Sequence, residues 1–364
     1  MRTLLLLTLL LAAPIAGAAT TATTLPAQPL VERGRTDQRL NFDLLFDNDG
    51  DRALELTGLE VTLLDREGRF FSQRRLDRNG DAGTMSLATV ANRSLPAHGR
   101  LVVFNPFAGF ASDAWLGDLR YVATFAPQGE DDAPETRVEL RVQPRAFAPK
   151  TTLRLPLDGE VFVHDGHDLL AHHRRLDITG GMTTHFGIRS NFMRYAHDFT
   201  VTDAQGRLFR TDGATPEDWY GYGTPVRAAG DGLVHAMRDG MRDNRKGAGP
   251  GFTQEQIMKD LTLFLGNHVV VDHGNGEYSV YAHLKEGSVR VKKGQRVRAG
   301  EAIGAMGMSG DAFLVHLHYQ LQSGPGFEEG LPSYFTDVRA KTGAGWSPAF
   351  TGPVDSGDVI ESAR

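Results

Sequence analysis

The chain has 364 residues, enough for two domains each with a sizeable core, and its 40% hydrophobic and 23% charged content excludes a disordered or fibrous class. The formal net charge is −6, with no dense Lys/Arg block and no run interleaving basic and aromatic residues, so a nucleic-acid partner is not expected. There is no cysteine: disulfides do not staple the fold, and any metal site has to be built from His, Asp and Glu.

The N-terminus has the layout of a secretory signal. Met1-Arg2 is a short positive region, Leu4 to Ala13 is apolar except for Thr8, and Ala16-Gly17-Ala18 is a small-residue cleavage site. The apolar run is shorter than the about 20 residues a membrane-spanning helix needs. Residues 1–18 are expected to be a signal peptide, and the mature protein to be periplasmic or secreted with no stable membrane insertion. Residues 19–37, rich in Thr, Ala and Pro, read as an N-terminal tail.

From residue 38 to 143 short strand patterns alternate with turn signals. Leu40 to Phe46, Leu54 to Leu64, Leu101 to Phe104, Arg120 to Phe125 and Arg137 to Val142 are expected strands. Their spacing predicts an immunoglobulin-like antiparallel β-sandwich. The acidic clusters Asp47/Asp49/Asp51 and Asp77/Asn79/Asp81 lack the glycine of a calcium loop at its sixth position, where Arg52 and Ala82 stand, and read as solvated turns. Residues 144–150 contain two prolines and read as a linker. A second, again mainly β, domain is expected over 151–350, with 351–364 as a C-terminal tail. Its expected strands include Val161 to Val163, Tyr195 to Val201, Pro225 to Val234, His268 to Val271, Tyr278 to His283, Ala302 to Gly304 and Val315 to Leu321, with one short helix at Thr253 to Leu261.

Twelve of the thirteen histidines fall in this second region, His98 being the exception. His316-Leu317-His318 lies in an apolar strand pattern, and residues i and i+2 of a strand project from one face. Two neighbouring imidazoles suit a divalent cation, or one ligand plus one catalytic base. Tyr281-Ala282-His283 ends another strand. Arg194-Tyr195-Ala196-His197-Asp198-Phe199 carries a carboxylate inside an otherwise apolar strand, and a buried carboxylate needs a cation or a full set of hydrogen bonds.

Between these lie Gly223-Thr224-Pro225-Val226-Arg227-Ala228-Ala229-Gly230-Asp231-Gly232, Gly266-Asn267-His268-Val269-Val270-Val271-Asp272-His273-Gly274 and Val291-Lys292-Lys293-Gly294-Gln295-Arg296-Val297-Arg298-Ala299-Gly300. This order of motifs, from about Phe162 to Leu321, resembles the lysostaphin/LytM-type peptidases, the M23 metallopeptidase family. The resemblance implies a LytM-type antiparallel β catalytic domain, one Zn2+ ion, and hydrolysis of peptide bonds in peptidoglycan. It assigns Asp198 and His318 as metal ligands and His283 and His316 as catalytic groups. One position departs from the pattern: the family shows a His four residues before the Asp, and here Arg194 stands there. His173 is the expected replacement ligand, with His185 second and His172 third. His197 adjoins Asp198 and is expected on the opposite sheet face.

Two functions follow from these residues. The first is an exported zinc-dependent endopeptidase acting on peptidoglycan peptides. The second is a non-catalytic M23-like regulator or binding module that acts on cell-wall hydrolases through a protein partner.

Overall fold

A computed structural model describes residues 20–78, 87–130, 133–169 and 171–363. The expected signal peptide and most of the Asp77/Asn79/Asp81 cluster lie outside the described residues. Strands outweigh helices among the described residues, with short helices at Gly181–His185 and Gln254–Ile257. The second of these begins on a capping box, in which Thr253 and Gln256 exchange side-chain hydrogen bonds with each other's backbone N–H groups. Among the described residues no helix is long and apolar enough to cross a membrane.

Among the described residues the N-terminal half forms two antiparallel sheets and a third, mixed one of Arg145–Ala146, Leu30–Arg33, Asp37–Leu40 and Gly109–Ala111, all feeding one core. Thr20–Leu25, Asp43–Asn48 and Gly99–Phe104 make the first. Thr136–Val142, Leu119–Pro127, Leu54–Leu64 and Phe70–Asp77 make the second, with Ser94–Leu95 beside Leu54–Leu64. Their alternate residues meet in a buried cluster that includes Phe42, Phe46, Val61, Leu101, Tyr121 and Phe125. Edge-to-face rings tie it together: Phe42 to Tyr121 at 5.7 Å and Phe46 to Phe125 at 5.2 Å.

Three segments expected to be irregular are strands. Thr20–Leu25 lies in the expected tail, yet its threonines and leucine pair residue by residue with Asp43–Asn48. β-branched threonine suits a half-buried pleat, which a reading of Thr/Ala/Pro content alone overlooks. Arg145–Ala146, in the expected linker, runs parallel to Leu30–Arg33. Val359–Ser362, in the expected C-terminal tail, is inserted between Val161–Asp165 and Phe335–Thr342, with Ile360 fully buried. A four-residue strand whose partners lie far away in sequence shows too little alternation to be read from its own residues.

The C-terminal half is organised on one large sheet. Its main path runs Arg296–Val297, Gly232–Arg238, Asn267–Asp272, Tyr278–Leu284, Leu317–Gln322, His197–Thr200, Val161–Asp165, Val359–Ser362, Phe335–Thr342, Gly345–Trp346. One face is covered by a core containing Leu153, Val163, Phe199, Val269, Tyr281, Ile303, Leu317 and Tyr319.

The two halves are joined by buried polar contacts. His167 Nε2 lies 2.9 and 3.0 Å from the two carboxylate oxygens of Glu32. Asn41 Nδ2 donates to the His167 carbonyl at 3.1 Å, and Arg174 donates to the Asn105 carbonyl. Arg194, wholly buried, donates to Asp43 at 2.9 Å and pairs with Glu329.

Candidate metal centre

Three adjacent strands assemble the site. Asp198 stands opposite His318 in one ladder and Ala282 stands opposite His318 in the next. Directly paired residues share a face, so the Asp198 carboxylate and the His318 imidazole emerge side by side. His283 follows Ala282 at the end of its strand in a left-handed conformation, with φ at 59°. A non-glycine residue there is held by its surroundings: its N–H donates to the Leu265 carbonyl at 2.9 Å, and its carbonyl accepts from Gly307. Gly266 and Gly310 allow the necessary close approach. Both have positive φ, and a Cβ on Gly266 would meet the Ser309 backbone at 2.5 Å.

Asp198 Oδ1 is the focus. It lies 3.1 Å from His318 Nδ1, 3.3 Å from His173 Nε2 and 3.4 Å from His316 Nε2. His173 comes from the short helical turn His172–Arg175, just after the Val161–Asp165 strand. His283 completes the cluster, its ring 4.7 Å from that of His316 and 5.8 Å from that of His318. All five side chains are buried.

The outer nitrogen of each imidazole is pinned. His173 Nδ1 meets the Gly166 carbonyl at 2.9 Å, His283 Nδ1 the Ser309 carbonyl at 2.9 Å, and His316 Nδ1 the Leu314 carbonyl at 3.0 Å. A carbonyl only accepts, so each of these nitrogens carries the proton and each Nε2 keeps its lone pair. For His173 and His316 that lone pair is turned toward Asp198. His318 is reversed, with Nε2 against Gln320 Oε1 at 2.9 Å and Nδ1 toward Asp198.

Charge follows the same plan. Burial alone would raise the Asp198 pKa, but His173 and His316 outweigh it and hold the carboxylate well below its usual range. Burial lowers His173 and His316 and drives His283 well down, the last also through His316 and His318. Burial thus disfavours charge on His173, His283 and His316, and the centre presents one carboxylate among imidazoles. That set fits a dication. Zinc bonds of roughly 2.0–2.1 Å in a tetrahedron place neighbouring ligand atoms about 3.3 Å apart, close to the separations around Asp198 Oδ1. His173 Nε2 is buried with no hydrogen-bond partner, and a metal ion fits that lone pair.

Of the expected residues, the structure brings together His173, Asp198, His283, His316 and His318. His185 is elsewhere, its Nε2 bonded to the Met258 carbonyl at 3.0 Å. His172 lies against His173, with ring centres 4.0 Å apart and planes tilted by 42°, and pairs through Nδ1 with Asp165. Burial opposes, but the Asp165 hydrogen bond comes first and raises the His172 pKa. Asp165, His172, His173 and Asp198 place one ligand atom each within 4.8 Å of one another. His197 occupies the other face, bonded to the Val354 carbonyl at 3.2 Å. Arg194 faces Asp43 and Glu329, not the cluster. Sequence reasoning missed Ser309, Gln320 and Asp165. Gln320 had a visible signal, because 318, 320 and 322 are polar at a period of two in an apolar strand.

A buried carboxylate ringed by imidazoles with pinned outer nitrogens makes this a candidate histidine–carboxylate metal centre on an antiparallel sheet. Residues 219–326 match Peptidase family M23, a span that includes His283, His316 and His318. The likeness to that family is carried by this part of the chain. It is 32% identical over 171 residues to the peptidoglycan DD-endopeptidase ShyA of Vibrio cholerae, covering 47% of this chain and 32% of that protein. It is 35% identical over 98 residues to the DD-carboxypeptidase/endopeptidase Mpg of Neisseria meningitidis, covering 27% of this chain and 17% of that protein. The chain thus spans a third or less of the length of these curated relatives. Similar solved structures include the catalytic domain of lysostaphin from Staphylococcus simulans, at 19% identity and TM-score 0.25, covering 48% of this chain and 87% of that chain. A zinc-containing peptidase from Vibrio cholerae is similar at 15% identity and TM-score 0.24, covering 78% of this chain and 82% of that chain.

Proposed function

We propose that the chain is a zinc-dependent endopeptidase that hydrolyses peptide bonds of peptidoglycan outside the cytoplasm. The observation that carries the reading is Asp198 Oδ1 with three imidazole nitrogens within 3.4 Å, in a domain of peptidase family M23. His173, Asp198 and His318 would hold the ion. Zinc bound there supplies Lewis acidity, polarising a carbonyl and bringing water into reach of neutral-pH deprotonation.

The remaining chemistry belongs to the chain. His316 and His283 are neutral, with Nδ1–H fixed on backbone carbonyls, so each offers an Nε2 lone pair. In the reading proposed here, one takes the proton of the attacking water. The O–C bond forms as the carbonyl π bond opens, and the C–N bond then breaks as the departing nitrogen receives that proton. The imidazole that takes the proton is a cation beside the developing oxyanion until that proton passes to the departing nitrogen, and the other orients the water through its Nε2 lone pair. Burial excludes bulk water, which would otherwise screen these interactions.

The test is turnover of cross-linked muropeptides by the zinc-loaded chain, with and without a chelator, beside His283→Ala and His316→Ala. Both variants are expected to keep bound zinc and lose about 10²–10⁴-fold in turnover. A chain that binds no zinc, or that releases no peptide fragments with zinc bound, would refute the proposal.

A further inference from the structure

Resting on the metal-site reading above, we propose that Gln320 and Gln322 are positioning residues that lock His318 in the tautomer and orientation a metal ligand requires. The reasoning begins at the far end of the relay. Gln322 meets the Gly324 and Gly326 carbonyls at 2.7 and 2.6 Å. Carbonyls only accept, so the group of Gln322 that faces them is the amide NH₂. Its oxygen is thereby turned back along the strand to Gln320, and Gln320 must present its own NH₂ there. That leaves Gln320 Oε1 facing His318 Nε2 at 2.9 Å. Nε2 therefore carries the proton, and Nδ1 keeps the lone pair that lies 3.1 Å from Asp198 Oδ1.

Each amide orientation is forced by the one before it, and the first is forced by backbone. The three side chains project from one face of the Leu317–Gln322 strand because their numbers differ by two. They are 3%, 1% and 0% exposed, so solvent supplies no competing partner. The other face of the same strand, Leu317, Tyr319 and Leu321, packs into the main core. A column of buried amides is a poor way to fill space, since each must be fully bonded to be tolerated. It is a good way to fix a proton. A ligand imidazole whose outer N–H has a rigid acceptor is better oriented and more basic toward its metal.

The relay also has an anchor. The turn that supplies the two carbonyls leads directly into Glu329, which pairs with the buried Arg194. Arg194 is held in turn by Asp43 of the N-terminal half.

The experiment measures zinc affinity of the full chain by competition with a chromophoric chelator, using zinc alone as probe. Q320L removes the acceptor, and affinity is expected to fall about 10–100-fold. Q320E keeps an oxygen for His318 Nε2–H and is expected to stay within about threefold of the unsubstituted chain. Q322L frees the Gln320 amide and is expected to weaken binding by up to about tenfold. Equal affinity for Q320L and the unsubstituted chain overturns the proposal, as does an E variant that falls as far as the L variant. Should Q320L fail to fold, Q322L with Q320E decides: full affinity in Q322L overturns the relay. No zinc uptake by the unsubstituted chain would instead sink the metal-site reading itself, so the two failures are distinguishable.

Discussion

Arg194 occupies the position where the family pattern places a histidine ligand, and its replacement separates two accounts of the site. If Arg194 is a structural anchor, Arg194→Met should cost folding stability and leave metal binding intact. Its guanidinium is fully buried, donates to Asp43 at 2.9 Å and pairs with Glu329, whose carboxyl is raised by burial and held down by this arginine. Asp43 is also fully buried. Removing the cation leaves these two acids facing each other in a dry setting, and breaking a buried ion pair in this way costs about 3–5 kcal/mol. For a folding unit of this size each kcal/mol lowers the midpoint by about 2–4 °C, so a drop on the order of 10 °C is expected. The assay is thermal unfolding of the metal-free chain, with zinc stoichiometry measured on the folded fraction. Asp43→Asn and the double variant would complete a cycle, and coupling between the two sites should be positive. An unchanged midpoint, or loss of zinc from protein that remains folded, would refute the reasoning.

Other outcomes follow from the same geometry. His173→Ala should abolish tight zinc binding while His185→Ala leaves it unchanged, because only the first has a nitrogen on Asp198; equilibrium dialysis of the two variants checks this, and equal affinities would remove His173 from the ligand set. Acidification should destabilise the metal-free chain. Burial lowers the folded-state pKa of His197, His268 and His283 below the ordinary imidazole value. The unfolded chain then binds more protons, so the stability these groups contribute is present above about pH 6.5 and is lost as pH falls below it. Asp198, held low in the fold, adds a loss of the same sign at lower pH, as the ordinary carboxylate range is entered. Denaturant midpoints measured from pH 8 to pH 4 should fall monotonically, and a flat profile would contradict the assigned protonation states.

Much of the centre could be read from short-range pattern. His316 and His318 share a strand face because their spacing is two, and Asp198 stands out as a charge among Tyr195, Ala196 and Phe199. His173 could not be placed by such a rule. It sits in a short helical turn 25 residues before Asp198, and that turn is seated by contacts distant in sequence, Arg174 on Asn105 and, just before it, His167 on Glu32. The edges of the fold were hidden for a related reason. Thr20–Leu25 and Val359–Ser362 become strands through partners distant in sequence, so their own composition suggests a tail. The mainly β character, carried by many local alternations, was legible throughout.

The contacts between Glu32 and His167, Asn41 and His167, Asn105 and Arg174, and Asp43 and Arg194 bracket His173 in sequence on both sides. This makes the chain hard to dissect. A fragment beginning near residue 150 would contain every residue of the centre, yet His167 and Arg194 would each have lost a buried acidic partner. The N-terminal sheets therefore buttress the segment that carries the ligand turn. A minimal active unit should be cut to include them, not trimmed to the boundaries of the family match.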